Sequence, residues 1–148
     1  MCQFNKISLR LVNEKTYEYN PTIIHTQTDV VKFIDDQEDI KHHTEERVYC
    51  IAMNTKNEII SFSQIAQGNI NNCNFDVKGL FKTILLCNAS KFILIHNHPS
   101  GDSTPSERDY QVTEKIKEAS KIMGIEFLDH IVIAQNGYTS CYSIKGGE

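Results

Sequence analysis

Most elements of this 148-residue chain are marked by the period at which apolar positions recur. In residues 4–12, Ile7, Leu9 and Leu11 alternate with Ser8 and Arg10, which predicts a strand because side chains two apart share a face. Residues 13–26 are polar and predict a loop, with a short strand near Thr22, Ile23 and Ile24. Thr28 and Asp29 suit the opening of a helix whose apolar side is Val30, Val31, Phe33 and Ile34. Residues 36–46 are charged and predict an exposed stretch. Residues 47–53 are rich in β-formers and nearly apolar on both faces, as a central strand should be. A turn cluster at 54–57 and a second strand at 59–65 complete a hairpin, followed by a polar loop at 68–74.

Helical spacing returns at 75–89, through Val77, Leu80, Phe81, Ile84, Leu85 and Ala89. The apolar run 91–96 reads as a buried strand. In the next helix Thr104 is placed as N-cap, Pro105 as first residue and Glu107 as the partner in a capping box. Val112, Ile116, Ala119 and Met123 form its apolar face, and Gly124 supplies the stop. Strands are predicted at 125–128, 131–134 and 138–144, with Asn136 and Gly137 turning the last hairpin. This order predicts a mixed sheet flanked by helices, an α/β/α sandwich. No repeat, low-complexity segment or linker divides the chain, so residues 1–148 read as a single domain.

Composition narrows the class. Apolar residues make up 40% and charged residues 23%, which fits a soluble globular domain and excludes a disordered chain. A net charge of −4 argues against general affinity for nucleic acid, which needs a basic face; an asymmetric surface would leave room for one. The five cysteines, Cys2, Cys50, Cys73, Cys87 and Cys141, are scattered and include no CxxC pair. Neither a disulfide framework nor a thiolate zinc site is signalled, and Cys50 and Cys141, in predicted strands, read as packing residues. No apolar run is long enough for a membrane span and no signal-like stretch opens the chain, so the expected compartment is the cytoplasm.

The candidate chemistry lies in 96–109, His-Asn-His-Pro-Ser-Gly-Asp-Ser-Thr-Pro-Ser-Glu-Arg-Asp. His96 and His98, two apart at the end of a strand, point to one face, and Asn97 points away. Residues 99–102 turn the chain into the helix, where Ser106 and Asp109 share a face. Asp109 is in phase with Val112 and Ile116, and a carboxylate on a buried face needs compensation. A divalent metal shared with the two imidazoles would supply it, and two histidines with a carboxylate leave a fourth position open, as catalytic zinc sites do. An HxH pair alone is a weak signal; the turn and the phased Ser106 and Asp109 strengthen it. Asp102 is a competing carboxylate that also suits shaping the turn, and Ser106 also fits an ordinary helix start. Spacing does not choose a general base among Glu45, Glu46, Glu107 and Asp129. His25, His42 and His43 read as solvent-facing, with His42 and His43 only a weak second metal pair.

The run His96-x-His98, seven residues, Ser106-x-x-Asp109 matches the JAMM motif of JAB/MPN metalloproteases. The longer string with Pro99, Ser100, Gly101, Asp102 and Pro105 is similar to the RadC-like branch, and the similarity runs from about Glu46 to Ser143. The resemblance implies an α/β/α sandwich of cytidine deaminase-like layout, with Zn2+ held by His96, His98 and Asp109. It implies a glutamate acting as acid and base at Glu46, with Glu45 the alternative if the register slips by one. It implies that Ser106 steadies the oxyanion. Asp129 and His130 fall within it and read equally as a pair that supports the site or touches substrate and as a structural pair between strands.

The activity implied is that of a zinc metallohydrolase, a peptidase or isopeptidase with a protein or peptide substrate. Two other readings stay open: a DNA-repair-associated protein, after the RadC name, and a non-catalytic interaction module of the MPN type. The motif-bearing core spans about 45–144. Residues 1–44 read as a strand, a loop and a helix rather than a helix-hairpin-helix region, so the chain resembles short, stand-alone bacterial RadC-like proteins.

Overall fold

The computed structural model describes residues 23–68 and 76–142, together with Gln3, Asn5, Lys6 and Ser8. Most of the expected strand at 4–12, most of the loop at 68–74 and the end of the strand at 138–144 lie outside the described residues. The elements in chain order are α1 (Gln27–Glu38), β1 (Arg47–Met53), β2 (Ile59–Gln67), α2 (Val77–Leu86), β3 (Lys91–Asn97), α3 (Glu107–Met123), β4 (Glu126–Ala134) and β5 (Gly137–Ser140), with a 3-10 turn at Ile40–His42. One five-stranded sheet runs β2-β1-β3-β4-β5. β3 and β4 are parallel and the other neighbours antiparallel, so the sheet is mixed. Parallel neighbours need a crossover, and α3 provides it.

Alternation along the strands divides the core between the two faces. Tyr49, Ile51, Met53, Ile93, Ile95, Ile131 and Ile133 pack with Val30, Val31, Phe33 and Ile34 of α1. Val48, Cys50, Phe92, Leu94 and Phe127 pack on the other face with α2 and α3, through Leu80, Phe81, Ile84, Val112 and Ile116. With both faces covered, β1 and β3 are buried at every position after the first, which is why they read as unbroken apolar runs. Phe92 stacks on Phe127 at 4.9 Å and meets Phe81 edge-on at 5.9 Å, fixing α2 beneath the sheet. This is the expected α/β/α arrangement.

One irregularity sets the faces of β4. Phe92 pairs with Phe127 but Ile93 pairs with Asp129, so Leu128 is an extra residue in the ladder. Leu128 and Asp129 therefore both face α1, and His130 turns toward α3.

Several local expectations are corrected. The first helix opens two residues earlier, with Thr26 as N-cap and Asp29 in a capping box, because Thr26 rather than Thr28 is extended and offers its hydroxyl to Asp29 N. The charged stretch after it is not wholly exposed, since Ile40 in the 3-10 turn is fully buried in the core between α1 and the sheet. The segments 125–128 and 131–134 form one strand, because the polar groups of Asp129 and His130 find partners inside it. Leu85 and Met123, placed on apolar faces by spacing, are exposed near the C-terminal ends of their helices. The last hairpin turns at Gln135 and Asn136, one residue early, with Gly137 taking the positive φ of 133° as the first residue of β5. Cys50 and Cys141 are buried thiols; burial pushes the Cys141 thiol up to about 12, which suits a packing role.

Candidate metal centre

The site forms where β3 ends and α3 begins, at the carboxyl end of the parallel pair. The chain between them is held by local bonds. Asp102 Oδ1 accepts from Thr104 N at 3.0 Å and from Thr104 Oγ1 at 2.8 Å. This shapes the turn and occupies Thr104, so the helix does not start there. The predicted cap at Thr104, with Glu107 as its partner, is thus corrected: Ser106 is the N-cap and Asp109 the third helical residue. Ser106 Oγ accepts from Asp109 N at 3.1 Å, and Asp109 Oδ2 accepts from Ser106 N at 2.7 Å, a capping box built from the two motif residues themselves.

Three side chains converge. His96 Nε2 lies 3.2 Å from Asp109 Oδ1, His98 Nε2 lies 3.3 Å from Asp109 Oδ2, and the two Nε2 atoms are 3.1 Å apart. Among the described residues this is the one group of three or more metal-ligating side chains, all its donor atoms lying within 4.8 Å of one another. Asp109 is 1% exposed, His96 fully buried and the His98 side chain 12% exposed, so the opening lies on the His98 side. The outer nitrogens are occupied elsewhere: His98 Nδ1 donates to the Asp102 carbonyl at 2.8 Å, and His96 Nδ1 meets His130 Nε2 at 2.8 Å. Both Nε2 atoms thus face the carboxylate, and the donor set fits a divalent cation with an open position.

Electrostatics follow from this crowding. Burial alone would raise the Asp109 pKa, but the bonds from His96 and His98 outweigh it and hold the carboxyl well below its ordinary range. His98 is shifted up, first by its bond to Asp109, then by the Asp102 carbonyl and the charges of Asp109 and Glu46. His130 is shifted well down by burial and then by its histidine neighbours, and stays neutral.

The two glutamates separate by register. Val48 pairs with His96 in the antiparallel ladder, so alternation carries Glu46, two residues back, onto the face of His96 and His98. The effect of its charge on His98 agrees with that placement. Glu45 turns to β2, where its Oε2 accepts from Gln67 Nε2 at 2.6 Å. Glu107 is exposed at the helix start.

Asp129 and His130 part to opposite faces. Asp129 accepts from Ser140 Oγ at 2.6 Å and from Gln27 Nε2 at 2.8 Å, tying α1 to β4 and β5 away from the ligands. His130 sits behind His96. His42 bonds Asp39, and His43 meets the Arg47 guanidinium at 3.5 Å.

Sequence reasoning passed over two residues. Asn97, pointing away from the ligands as expected, clamps the segment around Glu46: its Oδ1 accepts from Arg47 N at 2.7 Å and its Nδ2 donates to Glu45 O at 3.0 Å. Thr113 bonds both His130 Nδ1 and the Asp109 carbonyl, each at 2.7 Å. A threonine four residues after Asp109, among Val112 and Ile116, was the available signal.

A mixed five-stranded sheet with helices, gathering two imidazoles and a carboxylate at the end of its parallel pair, defines an α/β domain of the JAB/MPN type with a possible metal-binding triad. A family profile described as RadC-like JAB domain matches residues 24–146, and the chain belongs to that family. It is similar to UPF0758 proteins of Bacillus pumilus (36% identity over 121 residues), Desulforudis audaxviator (34% over 123) and Desulforamulus reducens (40% over 106). The matches cover 82%, 83% and 72% of this chain and 53%, 52% and 47% of those proteins. The chain thus spans about half the length of the curated relatives it matches, and their shared name specifies no activity. Among the described residues no helix is long and apolar enough to cross a membrane.

Proposed function

We propose that this chain is a zinc-dependent hydrolase of amide or isopeptide bonds in protein or peptide substrates. The observation that carries the reading is the inward aim of His96 Nε2 and His98 Nε2 at a buried Asp109, with Glu46 phased onto the same face. A divalent ion held by these three residues supplies Lewis-acid polarisation of a carbonyl and a water that is nucleophilic near neutral pH. Glu46 takes the proton of the attacking water and returns it to the leaving amine, so one carboxylate serves as base and then acid. Ser106 keeps its hydroxyl proton, because its Oγ accepts rather than donates in the cap, and that proton is available to a developing oxyanion. Asn97 holds the backbone on both sides of Glu46 and so limits the positions its carboxylate can reach.

Glu46→Gln tests the assignment. The variant should retain zinc, measured by stoichiometric metal analysis, and lose about 100- to 10,000-fold in turnover of linear and isopeptide-linked peptides. Undiminished turnover in Glu46→Gln would sink the role of Glu46. A reconstituted wild-type chain without zinc would sink the metal site.

A further inference from the structure

Each ligand imidazole must present a bare Nε2 and therefore carry its proton on Nδ1. For His98 the Asp102 carbonyl decides this directly, because a carbonyl only accepts. His96 has no such fixed acceptor. Its Nδ1 faces His130 Nε2 at 2.8 Å, an atom that donates or accepts according to where its own ring holds the proton.

The order is set one side chain further out. Thr113 Oγ1 lies 2.7 Å from the Asp109 carbonyl oxygen and 2.7 Å from His130 Nδ1. The hydroxyl has one proton. Aimed at the ring, it would leave two oxygen lone pairs facing each other at that distance, so it points at the carbonyl. Thr113 then accepts from His130, which puts the His130 proton on Nδ1 and leaves its Nε2 an acceptor. His96 consequently donates from Nδ1 and turns a bare Nε2 to the site. His96, Asp109, Thr113 and His130 are each at most 1% exposed, so bulk water does not compete for these bonds.

We infer that Thr113 and His130 are positioning residues that fix the tautomer of His96, and that the Thr113 hydroxyl, through the Asp109 carbonyl, couples two of the three ligands to one side chain. The inference rests on the metal-site reading above and adds how that site is kept ready for its ion. Thr113 acts through a direction of hydrogen bonding, so a side chain of similar shape without the hydroxyl should not replace it.

The test uses the zinc-loaded chain, with long-range proton–nitrogen NMR of the imidazoles and zinc affinity from competition with a chromophoric chelator. In the unaltered chain His130 should be neutral with its proton on Nδ1. Thr113→Val should weaken zinc by about 10- to 100-fold, the range typical of lost outer partners, and shift the His130 proton toward Nε2. Thr113→Ser, which restores the hydroxyl on a smaller side chain, should recover both. Wild-type zinc affinity in Thr113→Val, or a His130 proton on Nε2 in the unaltered chain, overturns the relay and leaves the metal site standing. A loss in Thr113→Ser as large as in Thr113→Val marks packing alone and also overturns it. An unaltered chain that takes no zinc removes the metal-site reading and the relay with it. If Thr113→Val does not fold, the tautomer measured in the unaltered chain decides.

Discussion

In α1 the Thr26 hydroxyl accepts from Asp29 N, and Asp29 accepts from Thr26 N; in α3 Ser106 and Asp109 make the same two bonds. The surroundings differ. Asp29 Oδ2 also accepts from His25 N, and its carboxylate borders solvent beyond the backbone it caps. Asp109 is 1% exposed, and each of its oxygens also faces an imidazole, one at the end of β3 and one just past it. Both carboxyls are held below their ordinary range, Asp29 chiefly by backbone N–H groups and Asp109, against its burial, by histidine side chains. A capping box is a local event that orients a carboxylate. What that carboxylate becomes depends on what the sheet places opposite it.

Removing charge while keeping a capping oxygen gives the largest contrast. Asp109→Asn should preserve the helix in circular dichroism and lower zinc affinity by more than the about 10- to 100-fold expected for an outer partner. Asp29→Asn should leave zinc affinity unchanged. Equal effects in the two variants would reduce the comparison to helix capping.

The serine comes next. Ser106→Ala should lower turnover by about 100- to 1,000-fold, the loss of one oxyanion donor, with zinc retained. If turnover falls no further than stability explains, Ser106 is a cap and nothing more.

The third contrast is in pH. With its pKa raised above 6.5, His98 must give up a proton to take a metal, so zinc affinity should fall about tenfold per pH unit below that raised value. In the metal-free chain the sign is opposite. The His98 contribution to stability is full below 6.5 and fades as pH rises through its folded value. That of Asp109 is present above 3.8 and fades as pH falls through its lowered one. His130, held well down by burial, opposes folding as pH falls below 6.5, so the metal-free chain should be most stable near pH 6.5, and zinc should move the maximum upward, as melting curves with and without chelator would show.

The smallest effect falls on α1. Thr26→Ala should cost about 1 kcal/mol in chemical denaturation and change neither zinc affinity nor turnover. A change in either would mean that α1 reaches the site through the sheet.

The sequence made much of this legible because β3, the residue after it and α3 carry the triad at local spacings. His96 and His98 share a face by strand parity, and Asp109 is fixed by helix phase against Val112 and Ile116. The helix start was misplaced because Thr104-Pro105-x-Glu107 and Ser106-x-x-Asp109 both satisfy capping rules; the tie is broken by Asp102, whose bonds to Thr104 depend on turn geometry. Glu46 could not be separated from Glu45 without the register of β1 on β3. Asp129 and His130 read alike because both interrupt an apolar run, and their division between faces is tertiary information. Thr113 escaped notice because a threonine in a helix carries no motif, and its role arises only where His130 meets Asp109.

Beyond the extra residue at Leu128, β4 is sensitive to its count more than to its spelling. Replacing Leu128 with another apolar residue disturbs only packing on the α1 side. Removing it would leave Phe127 opposite Phe92 and Asp129 opposite Ile93 and restore strict alternation, whereas one residue added between Asp129 and His130 would turn the imidazole away from His96. β4 should accordingly tolerate the loss of residue 128 but not a residue gained just beyond Asp129, a frame constraint like that of a codon, set here by pleat.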